Sequence, residues 1–189
     1  VRRRYLDILI SQIEKPYLDA LKRYQESNRQ RNHLLRSIRE GTSSQDELQF
    51  WDDQLAENGC EIMKSRIATV NRLSSLLKPF HIQLGAAEES LQLLYRPTIP
   101  IENDTPTSDS ILLALEGSRT RDISQGATSI GPHRDDMSIL INQNVASRYA
   151  SRGQARTAVL AIKLAESAKS EYVQLEASKD ILDRVGLRT

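Results

Sequence analysis

The chain has 189 residues and a formal net charge of +1, with 39% hydrophobic and 27% charged residues. This balance excludes a disordered or fibrous chain, and the length is sufficient for one or two domains with a hydrophobic core. One Trp, six Tyr and two Phe are few aromatic residues, which favours helical packing over an aromatic-rich β-sandwich. We therefore expect an α+β fold that is mainly α.

The single cysteine, Cys60, excludes an internal disulfide and a zinc site built from cysteines. No apolar run is longer than 111–115, and this run is far shorter than the ~20 residues that a membrane-spanning helix requires. No apolar signal segment follows the basic residues at the start of the chain. These features predict a cytoplasmic protein with no membrane partner. Because the chain begins at Val1 rather than at Met, we interpret it as a segment of a longer protein.

Two long helices are predicted in the first part of the chain, Leu6–Arg39 and Gln45–Leu77, because core positions recur at alternating intervals of three and four. The connection 41–44, Gly-Thr-Ser-Ser, is short enough to pair them as an antiparallel hairpin. A serine followed three residues later by Glu47 matches a capping box at the start of the second helix. Pro79 is expected to end that helix.

Charge is segregated along this hairpin. Residues 1–40 carry ten Lys or Arg against five Asp or Glu, whereas 45–61 carry six acidic residues and no basic one. An acidic second helix packed on a basic first helix would account for both blocks without a partner. Two polar residues of the first helix, Asn28 and Arg31, occupy core positions and are predicted to fix the register.

We divide the chain into a helical hairpin arm, 1–79, and a smaller mixed α/β portion, 80–189. The α/β portion shows shorter periodic segments separated by Pro, Gly and Asn. Its predicted elements, in order, are a hairpin of strands at Ile82–Leu84 and Leu91–Tyr95, a helix capped by Ser108 or Asp109, a second hairpin at Met137–Val145 that turns at Asn142–Asn144, and a helix from about Gln154 to Leu175.

A candidate anion site lies where the chain enters this last helix, at Ser151, Arg152, Gly153 and Gln154. The unpaired N–H groups of a helix start, the serine hydroxyl and the glycine amide could together bind an anion. Ser151 and Gln154 also match a capping box, which needs no ligand. Both interpretations stay open on the local sequence.

Two sets of arginines could contact phosphate groups. The first set is Arg2, Arg3 and Arg4, and the second set is Arg148, Arg152 and Arg156 at intervals of four. The first is a basic run of the kind that contacts nucleic acid, and the second would lie on one face of a helix. The alternative for both sets is an exposed, solvated surface, which is the usual state of a short basic run such as 2–4.

The segment Gly131-Pro132-His133-Arg134-Asp135-Asp136 concentrates an imidazole, a guanidinium and two carboxylates. We consider two roles, a coupling of two parts of a nucleotide site and a local pairing of Arg134 with a carboxylate. A metal site is disfavoured because adjacent Asp side chains on an extended chain point in opposite directions. No Ser-His-Asp order, His-Glu-x-x-His spacing or phosphate-binding loop identifies a catalytic residue.

Taken together, five segments resemble the RecF family of bacterial recombination proteins. They are Arg2–Asp7, Tyr24–Asn32, Trp51–Leu55 with Gly59, Gly131–Asp136 and Ala150–Thr157. The resemblance implies a cytoplasmic ATPase related to ABC and SMC proteins, which dimerises on ATP with Mg and binds single-stranded, double-stranded and gapped DNA. It implies recombination mediator partners and roles in replication, repair and the SOS response. It also implies that Ser151–Gln154 is the signature motif, which contacts the ATP of the partner protomer.

The sequence departs from the family pattern at several points. The lobe with the phosphate-binding loop is not present, no Walker B strand is recognised around 176–183, and Arg152 and Ala155 stand where the resemblance implies Gln. We therefore expect this chain alone neither to bind nor to hydrolyse ATP. The alternative is a non-enzymatic coiled-coil module whose hairpin arm recruits a protein.

Overall fold

Helices predominate in the computed structural model, which describes residues 2–85, 88–101 and 105–167. The elements are α1 (Arg2–Ile13), α2 (Lys15–Arg39), a 3-10 turn (Gln45–Glu47), α3 (Leu48–Gln83), β1 (Leu91–Arg96), α4 (Ser108–Gln125), β2 (Asp136–Ile141), β3 (Asn144–Val145), α5 (Ala146–Tyr149) and α6, helical over 152–167. The strands form one sheet in the order β1-β2-β3. The predicted α+β fold, mainly α, is confirmed.

Helices α2 and α3 form the predicted antiparallel hairpin. Side chains bond across it at three levels, Arg31 to Asp52, Arg23 to Asn58 and Tyr17 to Arg66. Along these three contacts the residue number increases on α3 while it decreases on α2, so the two helices run antiparallel. Near the connection, Leu34, Leu35 and Leu48 form a buried cluster on which Trp51 packs. Of the two polar core positions predicted for this hairpin, Arg31 is fully buried, whereas Asn28 is only partly buried.

The predicted first helix, Leu6–Arg39, is interrupted near its start. Glu14 has an extended backbone (φ −125°, ψ 95°) and separates α1 from α2. Pro16 follows within the first turn of α2, where its missing N–H costs no helical hydrogen bond. Pro16 thus occupies the start of α2, and the extended residue Glu14 before it ends α1.

Pro79 does not end α3, and the strand predicted at Ile82–Leu84 is wrong. The helix continues through Pro79 to Gln83. A proline in a helix interior removes one backbone hydrogen bond. Leu77 before it and His81 after it are both fully buried, so packing on each side offsets that loss. The second strand of the predicted hairpin exists as β1, which alternates buried and exposed residues.

Helix α4 begins one or two residues earlier than the two candidate caps predicted. Thr107, rather than Ser108 or Asp109, is its N-cap, and the Thr107 side chain accepts from the Ser110 N–H. Ser110 in turn bonds back to Thr107, which completes a capping box. Gly126 ends the helix in a left-handed conformation (φ 65°).

The hairpin predicted at Met137–Val145 is confirmed. Strands β2 and β3 pair antiparallel with Ile141 opposite Asn144. The two turn residues, Asn142 and Gln143, both have positive φ (49° and 64°), as a two-residue hairpin turn requires. The last predicted helix is present as α6, and residues 168–175 of that prediction lie outside the described residues.

The contacts divide the chain into two compact units, each with its own core. Unit 1 is Val1–Val70 with Tyr95–Met137, and unit 2 is Asn71–Leu94 with Ser138–Thr189. Unit 1 holds the α2–α3 cluster described above, together with Ile111 and Leu115 of α4. Unit 2 buries Leu73, Leu77, Leu91, Leu93, Ile141, Ala158, Ala161, Ile162 and Ala165. The division into an arm, 1–79, and a second portion, 80–189, stays a prediction.

Candidate functional site

The segment Ser151–Gln154 begins α6 in unit 2 and forms a capping box. The Ser151 N–H donates to Gln154 Oε1 at 2.9 Å, and the Gln154 N–H donates to Ser151 Oγ at 3.2 Å. Ser151, Arg152 and Gly153 are exposed, while Gln154 is partly buried. The capping interpretation is thus confirmed, and it leaves the first turn of the helix accessible.

This helix start retains donors for an anion. N–H groups of the first turn have no partner four residues back, and the helix dipole places partial positive charge there. The Ser151 oxygen accepts the capping bond, so its hydroxyl hydrogen is available to donate outward. These donors fit one phosphate or another oxyanion.

No packing contact among the described residues requires a glycine at position 153. A Cβ at this position would meet only Ser151 Oγ, at 3.8 Å, and its φ is not in the left-handed region. Glycine in an exposed helix costs about 1 kcal/mol relative to alanine. The absence of a side chain at Gly153 leaves room for a group from outside to approach the backbone closely.

Gln154 connects the capping box to two further residues of unit 2. Its Nε2 donates to Glu89 Oε1 at 2.8 Å. The second oxygen of Glu89, Oε2, lies 3.3 Å from His81 Nε2. His81 is 1% exposed. Neither His81 nor Glu89 was singled out from sequence, because their spacing matches no motif.

The three arginines at intervals of four do not all lie on one helix face, because Arg148 belongs to a different helix from Arg152 and Arg156. Arg148 belongs to α5, and Ala150 is extended (φ −73°, ψ 137°) before α6 begins. Arg152 and Arg156 lie one turn apart on α6, and all three arginines are exposed. The intervening turn breaks the helical spacing that the prediction assumed.

In unit 1, the structure brings the basic run to the 131–136 segment. Arg2 forms an ion pair with Asp136, with Nε 3.2 Å from Oδ1. Arg3 Nη1 donates to the Asp135 carbonyl at 3.0 Å. Two arginines predicted to contact nucleic acid therefore bind the protein's own backbone and carboxylate. Arg4 is exposed.

Arg134 does not pair with a neighbouring carboxylate. Its Nε donates to the Thr128 carbonyl at 3.2 Å. Asp135 instead accepts from the Tyr95 hydroxyl and, at 2.7 Å, from the Thr98 N–H. Burial raises the pKa of Asp135, whereas the hydrogen bond from Arg2 lowers the pKa of Asp136. The two adjacent aspartates thus have different partners and different environments.

His133 is held neutral inside this segment. Its Nε2 lies 3.0 Å from the Thr128 carbonyl and its Nδ1 lies 2.8 Å from the Tyr24 hydroxyl. Burial, chiefly, lowers the pKa of His133 to about 4. In the neutral ring Nε2–H donates to the carbonyl, so Nδ1 accepts from Tyr24. His133 therefore brings no positive charge to an anion at neutral pH.

Arg66 attaches the same segment to the helices, and it is 1% exposed. Its Nη1 donates to the Pro132 carbonyl and its Nη2 to Asp7 Oδ1, each at 2.7 Å. Gly131 has φ +114°, and a Cβ there would lie 2.5 Å from the Tyr24 oxygen. An arginine at a core position of a helix is the sequence signal that could have indicated this contact.

A second buried arginine, Arg31, lies between two carboxylates. Its Nε is 2.6 Å from Asp52 Oδ1 and its Nη1 is 2.8 Å from Asp122 Oδ2, and all three side chains are fully buried. Arg119 also binds Asp52, at 2.8 Å. Asp52 comes from the acidic block of the sequence and pairs across the hairpin, as the charge segregation predicted.

A cavity of about 240 Å³ in unit 1 is lined in part by Arg3, Arg4, Arg66 and His133. Of the two arginines of the basic run that line the cavity, Arg3 and Arg4, only Arg4 is exposed. Across the described ranges, no group of three His, Cys, Asp or Glu side chains is arranged to hold a metal ion. None of the helices described is long and apolar enough to cross a membrane.

Comparisons with known proteins place these sites in context. No family model matches the chain. It is similar to proteins named "DNA replication and repair protein RecF" from Cyanothece sp. (38% identity over 187 residues), Heliobacterium modesticaldum (37% over 185) and Streptococcus pneumoniae (37% over 185). The alignments cover 97–98% of this chain and 50% of each relative. The chain thus spans about half the length of these curated relatives.

Two solved structures share the fold. One is described as the recombination mediator protein RecF-ATPrS in the RecFOR pathway, with TM-score 0.85 and 34% identity over 91% of this chain and 47% of that one. The other is RecF-ATP of the same pathway, with TM-score 0.84 and 34% identity over 92% and 47% of the two chains.

Proposed function

Because this chain belongs to the RecF family, we propose that it forms part of a DNA replication and repair ATPase of the cytoplasm. In this proposal the full protein dimerises when it binds ATP, and Ser151–Gln154 of one protomer contacts the γ-phosphate of the ATP held by its partner. DNA, including gapped DNA, and recombination mediator proteins are the proposed partners. The SOS response is the proposed setting.

The observation that carries the nucleotide proposal is the accessible start of α6. Ser151 is exposed, and its hydroxyl hydrogen is free to donate. Gly153 has no side chain, and no packing contact in the part of the chain described requires a glycine there. A hydrogen bond from a hydroxyl to a charged phosphate is worth about 1.5–3 kcal/mol. Similarity to RecF structures described as bound to ATP and ATPrS supports the choice of nucleotide.

The DNA proposal rests mainly on Arg4. Arg2 and Arg3 are already bound to Asp136 and to the Asp135 carbonyl, so they contribute less to a phosphate contact. Arg4 is exposed beside the other arginines of the 240 Å³ cavity. Contacts of this kind neutralise phosphates without reading sequence, and their affinity falls as salt rises.

The nucleotide proposal is tested in a full-length chimera in which this segment replaces the matching half of Streptococcus pneumoniae RecF. The chimera should dimerise with ATP, as measured by light scattering. Ser151→Arg should abolish the dimer, because a bulky cation replaces the hydroxyl and the cap, while ATP binding by the monomer persists.

Ser151→Asp separates the phosphate contact from the cap. Aspartate caps a helix as well as serine does, but its charge repels a phosphate. We expect Ser151→Asp to keep the melting temperature of the chimera and to lose the ATP-dependent dimer. A Ser151→Asp protein that dimerises like the parent, or a parent that never dimerises, would exclude the γ-phosphate contact. The interaction-module alternative would then be favoured.

A further inference from the structure

We propose that Glu89, supported by the buried His81, is a positioning residue that orients Gln154 and so sets the start of α6 for its nucleotide contact. This inference rests on the proposed function of Ser151–Gln154. It assigns a supporting role in that contact to Glu89 and His81, which lie far from Ser151–Gln154 in the sequence.

The chain of contacts is continuous within unit 2. Gln154 Nε2 donates to Glu89 Oε1 at 2.8 Å, and Gln154 Oε1 accepts from the Ser151 N–H at 2.9 Å. The other Glu89 oxygen faces His81 Nε2 at 3.3 Å. One side-chain amide therefore bridges the capping box and a carboxylate that is 65 residues away in sequence.

The chemistry of Glu89 decides which way the Gln154 amide points. An ionised carboxylate only accepts hydrogen bonds, so it selects the NH2 end of the amide and turns the carbonyl end towards Ser151. A capping glutamine without such a partner could rotate its amide or release the Ser151 N–H. Glu89 removes that freedom and fixes the backbone at the point where a phosphate would approach.

Glu89 lies beside a buried polar ring, the imidazole of His81. The imidazole is 1% exposed and its ring nitrogens have no hydrogen-bond partner of good geometry among the described residues. A buried polar ring without partners is costly unless something nearby compensates. The Glu89 carboxylate is the polar group that faces it, and the side chain of Glu89 is 24% exposed. The Glu89 carboxylate thus lies beside a buried imidazole at the end of α3.

Loss of Glu89 should affect positioning more than folding. The serine cap, in which Ser151 Oγ accepts from the Gln154 N–H, does not involve Glu89. Helix α6 therefore keeps its cap when Glu89 is removed. What changes is the orientation of the Gln154 side chain and the order of the first turn.

The test uses the full-length chimera described above with Glu89→Ala, Glu89→Gln and the control Glu88→Ala. Glu88 is the exposed neighbour in sequence. Glu89→Ala should weaken the ATP-dependent dimer by roughly tenfold, the equivalent of one lost charge-assisted hydrogen bond, with ATP affinity of the monomer unchanged. Glu89→Gln keeps an acceptor oxygen for Gln154 but no longer selects the NH2 end of its amide, so its dimer should be intermediate between that of Glu89→Ala and that of the parent. Glu88→Ala should behave as the parent.

Hydrogen exchange gives a readout that does not depend on the dimer. In the monomeric chimera, Glu89→Ala should speed exchange at the Ser151 amide, and Glu89→Gln should restore only part of the protection. Unchanged exchange in Glu89→Ala would overturn the positioning role whatever the dimer does. If Ser151→Arg abolishes the dimer but Glu89→Ala leaves it intact, positioning by Glu89 is likewise overturned while the proposed function survives.

Two further outcomes are distinguishable. If Ser151→Arg itself leaves the dimer intact, the proposed function fails and the role of Glu89 in that contact fails with it. If Glu89→Ala does not fold, Glu89→Leu removes the same bridge, keeps more of the side-chain volume and leaves the capping box of Ser151 and Gln154 in place. Glu89→Leu should then weaken the dimer by a similar factor, and a dimer of parental strength would exclude the inference.

Discussion

Removal of the buried guanidinium of Arg31 should destabilise unit 1 strongly. Arg31 contacts Asp52 at 2.6 Å and Asp122 at 2.8 Å, with all three side chains fully buried. Arg119 is the second cation of this group, so two cations balance two carboxylates. Arg31→Met keeps most of the aliphatic volume and leaves one uncompensated negative charge in the core.

The expected loss is about 3–5 kcal/mol of unfolding free energy, since breaking a buried pair leaves an unpaired charge. In a chain of this length that corresponds to a drop in melting temperature of roughly 10 °C. Urea unfolding followed by the fluorescence of Trp51 is the assay, because Trp51 packs in the cluster of unit 1 beside Asp52. Arg29→Met is the matched control. Arg29 is exposed and pairs with Glu26 on the same helix, so its loss should stay within about 0.5 kcal/mol.

A double variant tests whether unbalanced charge is the cause. Arg31→Met combined with Asp122→Asn removes one charge of each sign and leaves Asp52 paired with Arg119. The double variant should therefore lose less stability than the sum of the single variants, by about 2 kcal/mol or more. Simple additivity of the two single losses would refute the reasoning.

Two more predictions concern the 131–136 segment. The pKa of His133 is lowered from 6.5 to about 4, so the unfolded chain binds a proton before the folded chain does, and stability should fall as the pH drops from about 6.5 towards 4. His133→Gln retains an acceptor for Tyr24 and should show a smaller loss between pH 7 and pH 5 in urea titrations; an equal loss would contradict this assignment. Gly131→Ala should lower the unfolding free energy by more than about 2 kcal/mol, because position 131 has a positive φ and the Tyr24 oxygen lies close to it. Gly117→Ala should raise the unfolding free energy by up to about 1 kcal/mol, because Gly117 lies on an exposed helix face with nothing nearby. Thermal unfolding checks both glycine variants, and similar effects of the two would exclude the steric argument.

Local sequence patterns determined most of the elements. The spacing of apolar residues located the α2–α3 hairpin, and the paired capping residues located the start of α6. The turn at Asn142 was predictable because asparagine tolerates positive φ and lies between two apolar runs. Each of these features depends on residues within a few positions of one another, so a single sequence carries the signal.

The exceptions occur where distant residues decide the outcome. Pro79 stays inside α3 because burial of Leu77 and His81 outweighs one lost backbone bond. Arg2 and Arg3 resemble a nucleic-acid contact, yet Asp136 and the Asp135 carbonyl are about 130 residues away in sequence and bind both. A run of arginines carries no information about which carboxylates the fold brings to it.

The sequence by itself determined the class of fold, the resemblance to RecF and the capping segment at the start of α6, because these depend on local periodicity and on motifs. The tertiary structure alone decided how that segment is supported. The Glu89–Gln154 bond and the Arg31 charge group each join residues far apart in the chain. Their free energies depend on burial and on the direction of hydrogen bonds, which arise only when the helices have packed.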